Sequence, residues 1–397
     1  MYNKYVWKLC LSWTKQDIHH LERFFFDNFL FPNLRVLEFS NAAAQDHILY
    51  PMIAAAKKSL SSLNLSQCYC LSSAVIKPLL TMAPHQMESL VLYGCGKMSS
   101  HILADIIHRH CNTLKRIRLT DANDAILDAI QKCKKLSDLG LEHCSDATLS
   151  SSALSNFFTS LSRHQAQLTH LRLRDINSLT SQHLRIIANT PTIQTSLVHF
   201  DMSECNRIDS EGISWLATEC IHLESLLLAY QEGVTNQAIQ LFIQNCQLLK
   251  HVDVSGCRLL TDHAFYPVLN NASSNLITVA LETLNISGLD QISPSLIFQL
   301  LNKISSLQEL CLGVTYDLDE ADLILQIMNS DTTHSRFYYL DMEKFCTICK
   351  LPSQITPPVN LASRKQPLPC QRHMEEENDA ETMSRLPSLS TWNIPLL

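Results

Sequence analysis

Apolar residues fall at the first, fourth and sixth places of a short stretch that recurs along the chain, with polar residues between them. The stretch reads "LSSLNLSQC" from Leu60, "MESLVLYGC" from Met87, "LKRIRLTDA" from Leu114, "LSDLGLEHC" from Leu136 and "LTHLRLRDI" from Leu168. It continues as "LVHFDMSEC" from Leu197, "LESLLLAYQ" from Leu223, "LKHVDVSGC" from Leu249, "LETLNISGL" from Leu281 and "LQELCLGVT" from Leu307. Upstream, "LRVLEFSNA" from Leu34 fits well and "VWKLCLSWT" from Val6 fits loosely, while "FYYLDMEKF" from Phe337 is a degraded last copy. Alternation over the middle places predicts a short strand whose apolar side faces inward. Between the strands lie amphipathic runs such as "LTSQHLRIIA", "IDSEGISWLA", "VTNQAIQLFI" and "ISPSLIFQLL". Each opens on Ser, Thr or Asp where a helix N-cap would sit, and Pro294 directly after Ser293 suits a first helical position.

From Leu34 onward the starts are 26, 27, 27, 22, 32, 29, 26, 26, 32, 26 and 30 residues apart. One strand and one helix at that period have the form of a leucine-rich repeat. The expected fold is therefore an α/β horseshoe solenoid of about 12–13 repeats, with a parallel sheet on the concave side and helices on the convex side. It should occupy residues 1–345. Cys68, Cys95, Cys144, Cys205 and Cys257 stand at the ninth place, and Cys111, Cys133, Cys220 and Cys246 three residues before the next start. Small and readily buried, these nine are read as packing residues. Residues 346–397 lose the period, are rich in Pro and Ser and carry an acidic clump, and are read as a mostly disordered tail.

Pieces such as "CIHLESLLLAYQEGVTNQAIQLFIQNCQLLKHVDVSGCRLLTDHAFYPVL" resemble the cysteine-containing leucine-rich repeats of F-box proteins and of the related mitotic-exit antagonists. The likeness spans residues 6–345, and the two cysteine places recurring with the "LTD" step make it specific for repeat subtype. It implies a substrate receptor whose F-box would dock a Skp-type adaptor and a cullin ubiquitin ligase while the repeats hold the protein substrate. No L-P-x-E opening precedes the first repeat, so the expectation is a start internal to a longer product with the F-box upstream. The alternative is a free-standing repeat adaptor or inhibitor.

Composition narrows the classes. The chain of 397 residues is 46% hydrophobic and 17% charged with a formal charge of −7, which argues against nonspecific nucleic-acid binding. It has no run of 18 apolar residues for a membrane span and no convincing signal peptide. An odd count of 15 cysteines in a long chain points to a reducing, cytoplasmic or nuclear setting, where the sequons at Asn64, Asn271 and Asn285 have no role.

In this architecture the third, fifth and seventh places point out of the concave sheet. The repeat from Leu114 then presents Arg116 and Arg118, and the repeat from Leu168 presents His170, Arg172 and Arg174. With one strand between them they lie roughly 10 Å apart, within reach of one phosphate or acidic segment. The repeat between presents Asp138, Gly140 and Glu142, so the alternative reading is a surface ladder of small net worth. Four arginines against two carboxylates leave a surplus of two positive charges. Further on come His199 with Asp201, His251 with Asp253, then Glu309, Asp341 and Glu343, while Tyr93, Leu227, Cys311 and Tyr339 are apolar anchor candidates.

Other chemistry finds little footing. "YGCGKMSS" lacks the spacing of a phosphate loop and falls inside a repeat. The histidines and cysteines are explained by periodicity, no enzyme is expected, and no cofactor is implied. One constellation stands apart: Cys346, Cys349, Cys370 and His373 have a spacing compatible with a structural zinc site, although Cys346 adjoins the last repeat and could belong to its core.

Overall fold

The computed structural model describes residues 5–12, 30–40, 45–95, 98–164, 167–269, 280–313, 338–341 and 347–350. Each repeat start supplies a strand, and one further strand, the last, lies outside the series. In chain order these are Lys8–Ser12 (β1), Val36–Ser40 (β2), Ser62–Asn64 (β3), Ser89–Leu92 (β4), Arg116–Thr120 (β5), Asp138–Cys144 (β6) and His170–Ile176 (β7). His199–Asp201 (β8), Ser225–Leu227 (β9), His251–Asp253 (β10), Thr283–Asn285 (β11), Glu309–Cys311 (β12), Tyr338–Asp341 (β13) and Thr347–Lys350 (β14) follow. β1 to β12 lie side by side in sequence order, every neighbour parallel. This is a leucine-rich-repeat solenoid. The loosely matching "VWKLCLSWT" contributes β1, paired residue for residue with β2.

Register follows the repeat. Leu63, Leu90, Ile117, Leu139, Leu171, Phe200, Leu226, Val252, Leu284 and Leu310 form one unbroken row at the fourth place, all buried. Helices pack roughly 8–10 Å apart while strands pack about 4.8 Å apart, so stacking strand–helix units bends the sheet inward. The expected N-caps are in place. Asp209 accepts from Gly212 N at 2.9 Å, Thr235 from Ala238 N at 3.5 Å, and Ser293 from Leu296 N at 3.3 Å, one residue before Pro294 opens the helix Pro294–Lys303.

Caps also link neighbouring repeats. Asp46 accepts from the backbone of Ser72, Asp124 from that of Ser150, Asp262 from that of Ser293, and Asn236 from that of Thr261. Of the nine cysteines read as packing residues, Cys111 is half-buried and the other eight are buried. Several thiols donate back to the preceding repeat: Cys95 to Leu65 O at 3.0 Å, Cys205 to Leu173 O at 2.8 Å and Cys257 to Leu228 O at 3.0 Å.

At the C-terminal edge the parallel pattern is broken. β14 inserts between β12 and β13 and runs antiparallel to both, so the degraded copy at Phe337 does not pair with its predecessor. The strand Thr347–Lys350 lies inside the stretch expected to be tail, and residues 1–350 form one unit. The expected disorder beyond it lies outside the described residues, as do Cys346, Cys370 and His373 of the zinc constellation. Cys349 stands in β14 opposite Glu309 and Tyr339. Among the described residues no helix is long and apolar enough to cross a membrane.

Candidate binding surface on the concave sheet

The third-place residues form one register row: Arg116, Asp138, His170, His199, Ser225, His251, Thr283 and Glu309. Arg118, Gly140, Arg172, Asp201, Leu227, Asp253 and Asn285 form the fifth-place row beside it. The arrangement expected from the sequence is therefore present, but its accessibility is not. Curvature lays long side chains over their neighbours, so Asp138, Glu142, Arg174, His199 and Asp201 are all buried.

Asp138 is the hub of the first half. Arg116 Nε donates to it at 2.8 Å, while Arg118 donates through Nε at 3.1 Å and through a terminal amino group at 2.7 Å. The Asp138 and Arg118 side chains are 5% and 11% exposed, which makes this pair an interior one; Arg116 is 44% exposed. Burial pushes the Asp138 carboxyl up, but the hydrogen bonds from Arg118 and the charges of Arg118, Arg116 and Arg172 outweigh it and hold the group below its ordinary value. Gly140 makes the reach possible. A Cβ there would stand 3.0 Å from Arg118 Cγ, so the arginine stem lies across the bare backbone.

Arg174 is also engaged, by a residue the sequence reading passed over. It donates to Glu204 Oε1 through Nε at 3.0 Å and through a terminal amino group. Glu204 stands at the eighth place with φ 63°, in the left-handed region. That place is left-handed in repeat after repeat: Gln67, Gly94, Asp121, His143, Asp175, Glu204, Tyr230, Gly256 and Gly288. The glycines at 94, 256 and 288 were the available signal that eighth-place side chains leave the sheet sideways. His143 and Asp175, adjacent in this row, meet at 2.8 Å.

Arg172 differs from the other three. Its Nε donates to His199 Nε2 at 3.1 Å, which requires that nitrogen to be an unprotonated acceptor. Burial and then the charges of Arg172, His170 and Arg118 hold His199 well below its ordinary pKa, in agreement. His170 stacks on His199 with ring centroids 5.5 Å apart. Arg172 makes no ion pair with a carboxylate among the described residues. Burial and the nearby Arg118 lower its own pKa, against smaller opposing effects of Asp138, Asp201 and Glu142. Glu142, on the far side of Gly140, has no side-chain hydrogen bond among the described residues, and burial together with the charge of Asp201 pushes it up to about 7.

Among the apolar anchors, Tyr93 and Leu227 are half-buried on the face. Tyr93 is near enough to Arg174 to influence its charge, and Leu227 lies between Asp201 and Asp253 in register. Cys311, expected as an anchor, is instead buried, with its sulfur 3.1 Å from Ser287 Oγ. The sequons at Asn64 and Asn285 have a structural use, since each side-chain oxygen accepts from the backbone N and hydroxyl of the serine two residues on, as Asp201 and Asp253 also do. These turns close the strand ends.

No family model and no curated protein matches this chain. Among solved structures, a chain in the crystal structure of the Rad7 and Elc1 complex in yeast superposes with a TM-score of 0.51 at 19% identity, over 72% of this chain and 76% of that one. The likeness is one of fold.

Proposed function

We propose that this chain is a non-catalytic module that holds a protein partner on its concave face, and that it serves substrate recognition in a Skp–cullin–F-box ubiquitin ligase. The observation carrying the binding role is the in-register face itself, on which charged and imidazole side chains from consecutive strands converge around β5 to β8. A solved structure that shares the fold is described as a complex of two proteins, which supports a protein partner. The ligase role rests on the resemblance of repeat subtype.

A catalytic role for the cysteines is disfavoured by their environment. Burial pushes the thiols of Cys95, Cys133, Cys144, Cys205, Cys220, Cys246 and Cys257 up to about 12, so none of these seven is a thiolate nucleophile near neutral pH. Free thiols at the twelve cysteines from Cys10 to Cys311 suit a reducing compartment, cytoplasmic or nuclear.

The test is affinity purification of the tagged full chain from cells, probed for a Skp-type adaptor and a cullin. Both are expected with the substrate. A retained protein partner without the adaptor would move the assignment to a free-standing adaptor or inhibitor.

A further inference from the structure

Resting on the protein-binding reading, the geometry points to Arg172 as the centre of a seat for one phosphate monoester, carried on a phosphoserine or phosphothreonine of the partner protein. The four arginines of this face are not equivalent. Arg174 is committed to Glu204, and Arg118 gives Nε and one terminal amino group to Asp138. Arg172 spends only Nε, on a neutral imidazole, and Arg116 only Nε, on Asp138. Among the described residues the terminal amino groups of Arg172 and Arg116 therefore remain as donors on the concave side.

A half-buried guanidinium with no carboxylate partner is a costly thing to keep, because the charge is partly desolvated without a compensating anion. Its surroundings increase that cost. Arg118 stands two strands away with its stem laid across Gly140, so no side chain of the intervening strand separates the two cations at that place. Asp201 is beside Arg172 in register, but its Oδ1 is held by the backbone and hydroxyl of Ser203, and no hydrogen bond joins it to Arg172. An incoming anion would supply the missing partner.

Phosphate fits better than carboxylate. Arg116, Arg118 and Arg172 against Asp138 and Asp201 leave a positive surplus around Gly140, and a phosphate near its dianionic form brings more charge to it than a carboxylate does. Its three acceptor oxygens can also meet donors arriving from two strands, whereas a single carboxylate spans one guanidinium fork. The flanking carboxyls set the limit: Asp201 opposes an anion, and so does Glu142 to the extent that it ionises.

The experiment uses the immobilised full chain and three degenerate nonapeptide pools with central phosphothreonine, threonine or glutamate. The phosphothreonine pool should be retained about tenfold over the other two, as one to two charge-assisted hydrogen bonds would give. Arg172→Met, which keeps the alkyl stem, should abolish the preference, while Arg174→Met should leave most of it. Melting temperature checks that Arg172→Met folds; should it not, millimolar phenyl phosphate must displace the phosphothreonine pool from the unaltered chain. Equal retention of phosphorylated and unphosphorylated pools, or an Arg172→Met protein that retains the preference, overturns the seat. Equal retention of glutamate and phosphothreonine pools overturns phosphate as its ligand. A partner captured in cells equally by Arg172→Met would leave the protein-binding reading standing while this one fails.

Discussion

Replacing Glu142 with glutamine should stabilise the protein above neutral pH and do little in acid. Glu142 is 8% exposed, makes no side-chain hydrogen bond among the described residues and has its pKa raised by burial and by Asp201 from 4.5 to about 7. Between those values the folded chain keeps a proton that the unfolded chain has released, so unfolding free energy falls as pH rises through this window. At about 1.4 kcal/mol per pKa unit the loss reaches up to about 3 kcal/mol by pH 8. Glutamine is a neutral isostere and carries none of it. The assay is urea unfolding of both proteins at pH 4.5, 6, 7 and 8, followed by circular dichroism, with the difference between the two taken at each pH. His110, His170, His183, His199 and His251, all held below their ordinary value first by burial, weaken the fold as pH drops through their unfolded pKa. They do so in both proteins and cancel in the difference. A gap that stays constant from pH 4.5 to 8 would refute the reasoning.

Asp138→Asn leaves Arg116 and Arg118 facing each other with their shared carboxylate gone, and should lower stability by about 3–5 kcal/mol, read from the urea midpoint. The wild-type advantage should shrink as pH falls through the ordinary carboxylate range, because the stability of a group with a lowered pKa is present above its unfolded value and lost below it. Brief iodoacetamide treatment of the folded chain at pH 8, mapped by mass spectrometry, should modify the exposed Cys10 and Cys70 and spare Cys95, Cys205 and Cys257; equal labelling would contradict the buried thiols. Gly256→Ala should cost about 1–2 kcal/mol, since φ is +67° and the new Cβ would meet the Tyr230 ring at 2.5 Å. Trimming Tyr230 to alanine should recover only the steric part, and full recovery would show that the left-handed backbone contributes nothing.

The repeat was legible because a side chain's facing depends only on its place in the strand: Leu171 and Phe200 are buried for the same local reason, and the register row at the fourth place follows from a constant period. Helix caps at Asp209, Thr235 and Ser293 were legible too, being contacts across three residues of chain. The charges on the face were legible as a list but not as a site. Glu204 meets Arg174 across 30 residues, Asp138 gathers two arginines from the preceding strand, and Gly140 matters only because Arg118 lies over it. Likewise β14 entered the sheet antiparallel between β12 and β13 with no period to announce it. Local periodicity decides which way a side chain points. Which partner it finds, and how much water it keeps, depends on the curvature of the stacked sheet, and only the tertiary structure decides that.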